Sequence, residues 1–478
     1  MRLAPLFLLC GFTAASPFCS AQPDYLREAR RVTNAPADPA IARAIAGIQP
    51  SRIHSIIEKL VSFQTRNSLS SMEQDLPAGT GINSAADWIF AQFQQISSDC
   101  GGCLEVKRDT FTADPKSTEG SAWAKRIPSP TRMTNVYAIL HGHDPAQANV
   151  IYLVTGHYDS RNSNLMDDHG FAPGANDDAS GVAVSLESAR VLSKLHLPAT
   201  LVFVAVAGEE QGLVGSAHLA KLAKDEGWKL DGVLNNDIVG GNTTPGDKLQ
   251  LKDRVRVFSE GVPASATPQQ QRRIRALGGE TDSPSRELAR AIADVDRTYF
   301  PIAAKAPFHA FLVSRPDRYL RGGDHSSFNS EGFAAVRLTE WREDYNHQHQ
   351  NVVRTSTPVL GDLLDFVDFT YVAKVARLNA ATLATLASSP GEPANVKIDA
   401  RELENSTTLS WDPAPGKVDH YDLLWRETTA PDWEYVRRVP PATGNGAVTV
   451  TVPISKDDVI FGVRAVDAAG HRGLTVVP

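Results

Sequence analysis

The spacing of apolar residues changes character along the chain. Residues 51–63 carry Ile53, Ile56, Ile57, Leu60 and Val61 at a helical period, which predicts an amphipathic helix. A second helix is predicted from Ser84, a residue type suited to cap it, with Ala85, Ile89, Phe93 and Ile96 on one face. From Leu104 the pattern becomes one of short apolar runs: "TNVYAIL", "NVIYLVTG", "TLVFVAVAG", "DGVLNNDIVG" and "FAAVRLTE". Several are apolar throughout, as strands covered on both faces require. Helical patterns at 179–195 and 213–224 separate them. Strands alternating with helices predict an α/β fold, a mostly parallel central sheet sandwiched by helices. Residues 263–321 break this rhythm and are expected to form helices and loops at the mouth of the site. A helix at 358–386 closes the region, taken as 51–387.

After "SSPGEP" at 388–393 the pattern changes again. "TTLSWDPAP", "HYDLLWRET", "WEYVRRV", "AVTVTVP" and "VIFGVRAVDAAGHRG" are short alternating strands with turn residues between them. They predict a second, all-β unit over 393–478, an immunoglobulin-like sandwich. Trp411 and the ending "VRAVDAAGHRG" resemble a fibronectin type III domain. The boundary reads as a linker and the sandwich as an accessory domain, so truncation near Ala387 is expected to leave small-substrate chemistry mostly intact.

At 478 residues the chain is too long for one ordinary core. A net charge of −7 and the lack of a basic stripe give no reason to expect nucleic acid. The first residues, "MRLAPLFLLCGFTAASPFCSAQ", combine one arginine, a short apolar run and a small-residue end. That is the layout of a secretory signal peptide over 1–21, cleaved near Ala21. The run is too short to span a bilayer, and no later run is long enough, so a secreted or periplasmic protein is expected. Residues 22–50 are polar and alanine-rich and read as a linker or a loosely docked first helix. Beyond the signal only Cys100 and Cys103 remain, and in an oxidising compartment they are expected to form a local disulfide.

Chemistry concentrates at the carboxyl ends of the apolar runs, where open α/β sheets bind their ligands. His157 and Asp159 follow "NVIYLVTG", and Asp159 suits the carboxylate that takes the second ring N–H of a metal-bound imidazole. Asp177 lies where "GANDDASG" turns into a helix. Glu209 and Glu210 end the next run, and buried together they would resist ionisation unless cations held them. Asp237 ends the run after that. A histidine from late in the chain would complete the set, with His347, His349 and His325 as candidates.

"GHYDS", "APGANDDASG", "AGEEQGLVGS", "NND" and "GGDHSSF", in this order, resemble the M28 family of zinc aminopeptidases over roughly residues 53–387. The resemblance implies two zinc ions bridged by Asp177. His157 and Asp237 would complete one zinc, and Glu210 with the late histidine the other. Glu209 would be the general base. The family's usual "YHT" context is replaced by "HQHQ" here, leaving His347 and His349 as alternatives, with His349 favoured by its lead-in "EDYN". His325 resembles a histidine that supports ligands without being one. A cis peptide bond between Asp177 and Asp178 is implied as well. The expected substrates are peptides with a free N-terminus. Two rival readings remain: a glutaminyl-cyclase-like enzyme with one zinc, and a receptor or adhesion module that has lost catalysis.

Overall fold

In the computed structural model, residues 23–27, 30–118, 125–301, 307–401, 403–444 and 446–478 are described. The segment read as a signal peptide, 1–21, lies outside them. Among the described residues the apolar runs assemble into an eight-stranded mixed sheet. In chain order its strands are β1 (Leu104–Ala113), β2 (Thr131–Leu140), β3 (Val150–His157), β4 (Thr200–Val206), β5 (Lys229–Asn236), β6 (Arg254–Ser259), β7 (His309–Val313) and β8 (Ala335–Thr339). Their spatial order is β1-β2-β4-β3-β5-β8-β6-β7. The central strands β4, β3, β5 and β8 run parallel to their neighbours within that group. β4 is buried at every position, which is why it reads as an unbroken apolar run. The edge strand β1 alternates charged and apolar residues, as an edge that faces water must.

Helices cover both faces. Pro50–Val61, Gly81–Asp99, Ala179–Leu192, Pro284–Tyr299 and Phe369–Ser388 pack against Tyr152, Val154, Leu201 and Phe203 on one side. Val214–Asp225 and His325–Ser330 pack against Leu153, Val202, Val204 and Val233 on the other. The α/β sandwich is as the sequence predicts. The predicted start at Ser84 is too late: the helix begins at Gly81, because its first turn buries Ile82 beneath the apolar face. The helix expected from 358 starts at Phe369, where Asp368 accepts the amides of Thr370 and Tyr371. Residues 263–321 also differ from expectation. Helix Pro284–Tyr299 buries Leu288 and Ile292 in the main core, and β7 extends the sheet.

The C-terminal strands are β9 (Ala394–Ile398), β10 (Thr407–Asp412), β11 (His420–Glu427), β12 (Tyr435–Val439), β13 (Val448–Val452) and β14 (Val459–Val466). They form a three-stranded antiparallel sheet, β9-β10-β13, and a second antiparallel sheet containing β12-β11-β14. Leu409, Trp411, Tyr421, Leu423, Trp425 and Phe461 share the core of these sheets.

The stretch read as a linker, 22–50, ties the two cores together. Tyr25 and Leu26 pack on the sandwich core, and Arg30–Arg31 pairs antiparallel with β12. Helix Pro39–Ala46, capped by Asp38, then buries Ile41 and Ile45 against the α/β core. The boundary at 388–393 is likewise no exposed linker, since Ser389 is buried and Gly391 N–H donates to the carbonyl of Pro415 at 3.0 Å. Around it the sandwich supplies cations and donors to acids of the helix Pro284–Tyr299. The Trp433 indole donates to Glu287 at 2.8 Å, and Arg464 and Arg472 reach Asp294 at 3.3 and 2.9 Å. Arg426, fully buried, pairs with Asp282 just before that helix. On the sequence these acids pass for a solvated helix face. The expected disulfide joins Cys100 to Cys103 at the turn into β1. Among the described residues no helix is long and apolar enough to cross a membrane.

From this interface the sandwich is expected to contribute to the stability of the α/β unit. Arg426→Ala leaves the buried Asp282 carboxylate with only Arg290, 3.7 Å away, and should cost about 3 kcal/mol in denaturant unfolding. Removing 393–478 should abolish cooperative folding of the remainder. A truncated chain that unfolds at the wild-type midpoint would show that the interface contributes nothing to stability.

Candidate metal centre

Parallel pairing aligns the carboxyl ends of β4, β3 and β5, so the residues that follow each strand meet at one edge. His157 is the last residue of β3, Glu209 and Glu210 follow β4, and Asp237 follows β5. The Asp177–Asp178 peptide is cis, as the family resemblance implied, and stands directly before helix Ala179–Leu192. Glycine lets that helix press against the strand ends: a Cβ on Gly181 would stand 2.2 Å from the carbonyl oxygen of Asn236. His349 comes from the long loop after β8 and has a left-handed backbone, φ 57°.

The bridging geometry centres on Asp177. Its Oδ1 lies 3.1 Å from His157 Nε2, and its Oδ2 lies 3.0 Å from His349 Nε2. His157 Nε2 also stands 3.8 Å from Asp237, and His349 Nε2 stands 2.9 Å from Glu210. Ligand atoms of His157, Glu209 and Asp237 form one close group, and those of Asp177, Glu210 and His349 another. His347 turns elsewhere, stacking on Phe366 with ring centroids 3.8 Å apart. His325 is buried behind the site, with Nε2 2.8 Å from the carbonyl oxygen of Pro316.

Supporting contacts hold each of these groups. The carboxylate of Asp159 lies 3.3 Å from His157 Nδ1, and it accepts the N–H groups of Glu209 and Glu210 and the hydroxyl of Ser68. Asp178 accepts the N–H groups of His157, Gly181 and Ile238, joining the ends of β3 and β5 to the first turn of helix Ala179–Leu192. Arg337, fully buried on β8, pairs with Asp237 at 2.9 Å. Asp362 accepts the N–H of Asp177 at 2.7 Å. Gln348 donates to Asp177 Oδ2 at 3.0 Å. Ser68, Arg337, Gln348 and Asp362 were absent from the sequence reading. Each is a lone residue far along the chain from the group it supports, so no local motif announces it.

Crowded carboxylates shape the electrostatics. Burial, followed by Asp237, Glu210 and Asp324, outweighs His157 and holds the Glu209 carboxyl well above the usual range. Burial lowers the His349 pKa, but Glu210 and Asp177 reverse this and raise it to about 10. Burial also opposes a charge on Asp177, yet His157 and His349 carry it well below the ordinary value.

The residues fit zinc. Among the described residues, His157 Nε2 and Glu210 Oε1 are buried without a hydrogen-bond partner. Donors about 2.0–2.2 Å from one tetrahedral ion stand about 3.3–3.6 Å apart, and the contacts of 2.9–3.8 Å bracket that spacing. A set of imidazoles and carboxylates without thiolates suits zinc with an open position.

Comparison with known proteins points the same way. The family model described as peptidase family M28 matches residues 135–366. A probable zinc metalloprotease of Pyricularia oryzae is 42% identical over 450 residues, covering 92% of this chain and 84% of the relative. Among solved structures, the LapA aminopeptidase of Legionella pneumophila is 18% identical with a TM-score of 0.48, covering 81% of this chain and 80% of that one. The glutaminyl cyclase of Macrostomum lignano has the same TM-score at 16% identity, covering 74% and 94%. Two structural likenesses this distant and this equal do not choose between the reactions.

The two late histidines separate experimentally. His349→Ala should lower zinc affinity by at least the roughly 10–100-fold typical of losing a supporting partner, whereas His347→Ala should retain it. Isothermal titration of metal-free chains with zinc checks this, and the opposite pattern would make His347 the ligand.

Proposed function

The chain belongs to peptidase family M28, and from that premise we propose that it is a secreted dizinc aminopeptidase. The observation that carries the proposal is the placement of Asp177, whose two oxygens face different histidines. His157 and Asp237 would hold one zinc ion, Glu210 and His349 the other, and Asp177 both. Bound there, the ions would polarise the scissile carbonyl and lower the pKa of the attacking water.

The chain's own residues do the rest. Glu209 stands beside His157 and Asp237 and retains side-chain exposure that Glu210 lacks. It would take the proton from the attacking water and return it to the leaving amine, work that needs a carboxylate beside the metal positions that is not itself tied up as a ligand. Asp159 orients His157 through its ring N–H and fixes the turn that carries Glu209 and Glu210. Carboxylates left over beside the open positions would receive the α-ammonium of a free N-terminus through charge-assisted hydrogen bonds. A carboxypeptidase would need free cations for the opposite terminus. Of the candidates Arg161, Arg315, Arg318 and Arg321, the last two are paired with Glu343 at 2.7 and 3.2 Å, whereas Arg161 donates to the carbonyls of Asn162 and Ser163 and Arg315 lies over the Tyr319 ring. Two separate ligand groups, with Asp177 of one also 3.1 Å from His157 of the other, favour this reading over a cyclase with a single zinc, and the presence of both groups favours it over a receptor that has lost catalysis. Secretion is supported by the leader-like first 21 residues and by the Cys100–Cys103 disulfide.

Chelation should abolish activity and zinc restore it. Glu209→Gln should lower kcat by on the order of a hundredfold or more while keeping the metal content. If Glu209→Gln instead loses zinc and Glu210→Gln retains it, the two roles are reversed. One peptide offered free, N-acetylated and C-amidated tests the direction of attack. Acetylation should block cleavage and amidation should not; the reverse result would make the enzyme a carboxypeptidase with the same metal centre.

A further inference from the structure

The turn that delivers Asp177 is held from both sides by two buried residues of opposite charge. Arg66 is fully buried, and its guanidinium donates only to backbone oxygens among its described hydrogen bonds. Its Nε reaches the carbonyl of Tyr158 at 2.7 Å, the residue after His157. Its Nη1 reaches Leu60 at 3.0 Å and Pro173 at 2.6 Å, and its Nη2 reaches Gly174 at 2.8 Å. One planar guanidinium therefore joins the turn after His157 to the turn before Asp177. Five N–H donors in a fixed fork suit it to this task, and a lysine ammonium would not span the same oxygens.

From the other side, Asp362 takes the N–H groups of the same turn. Its carboxylate accepts Asn176 N–H at 2.9 Å and Asp177 N–H at 2.7 Å, and its own carbonyl accepts Ala175 N–H at 3.2 Å. Gly174 has φ +50°, and a Cβ there would stand 2.7 Å from Arg66 Nη2 and 2.5 Å from Ser160 Cβ. The turn thus has little room to shift in either direction. Serving carbonyls on one side and N–H groups on the other leaves the backbone of 173–177 with few alternative hydrogen-bonded arrangements.

We propose that Arg66 and Asp362 are positioning residues that clamp this turn and so set where Asp177 stands between the two zinc positions. The inference rests on the dizinc reading. A carboxylate shared by two ions must keep one oxygen directed at each, so a small rotation of its backbone weakens one metal position before the other. Neither clamp residue touches substrate, and their effect is carried entirely by Asp177.

The test is calorimetric titration of the metal-free chain with zinc, run beside kinetics and thermal unfolding. The variants are Asp362→Asn and Arg66→Lys. Asp362→Asn preserves shape but removes one of the two accepting oxygens, leaving a single oxygen for the Asn176 and Asp177 N–H groups and an amide nitrogen where the other stood. The wild-type chain should take up two zinc ions. Each variant should remain folded and bind one zinc nearly as wild type, with the other weakened roughly 10–100-fold. kcat should fall with KM little changed. Wild-type binding of both ions by both variants overturns the clamp while leaving the dizinc reading intact. Loss of fold in both variants assigns Arg66 and Asp362 to the scaffold and also overturns it. A wild-type chain that binds fewer than two ions refutes the dizinc reading itself, and the clamp with it.

Discussion

Carboxylates in excess at one sheet edge are the constraint that organises this molecule. Asp177, Asp178, Glu210 and Asp237 are all buried, and Glu209 adjoins them. Burial first, and then mutual repulsion, makes such groups resist ionisation, and together they hold the carboxyls of Asp178 and Glu209 well above the usual range. The fold answers by giving each a particular counterpart. Asp177 faces two imidazoles, Asp237 an arginine, and Asp178 three backbone N–H groups. His157 Nε2 and Glu210 Oε1 stand close to Asp177 and His349 without hydrogen-bonding to them, and these are atoms that divalent cations would satisfy. Stability and chemistry are opposed here. Replacing the acids would relieve the repulsion and remove the donor set together.

The same principle recurs on a larger scale where the sandwich meets the α/β layer. Asp294 has Arg464 and Arg472 within reach, Glu287 has the Trp433 indole, and Asp38 has His471 at 3.0 Å. A buried charge costs far more alone than paired, so an interface of this kind holds as a whole or fails as a whole. The N-terminal segment reinforces it by contributing to both cores.

Much of this was legible in the primary structure, for reasons that can be named. The parallel strands announced themselves because burial on both faces forces unbroken apolar runs such as Thr200–Val206. His157, Glu209, Glu210 and Asp237 could be singled out because strand ends place ligands, and a strand end is a local property of the chain. β6 and β7 escaped notice because both are short, and β6 also mixes charge with apolar residues: Arg254 and Arg256 alternate with Val255 and Val257. The linker at 388–393 was misread because Gly and Pro mark a turn but carry no information about what covers it.

By itself, then, the sequence determined the layer architecture, the sandwich that follows it and the residue types of the site, since period, turn chemistry and strand-end placement are local. Only the tertiary structure decided which of two neighbouring histidines meets Asp177, because a difference of two residues in an irregular loop is resolved by backbone direction at φ 57° and not by composition. It alone brought Arg66, Arg337 and Asp362 to the site, and it alone joined the acids of one domain to the cations of the other. Those contacts span from tens to hundreds of residues, and a charged side chain gives no sign in the sequence of whether it will face water or a partner.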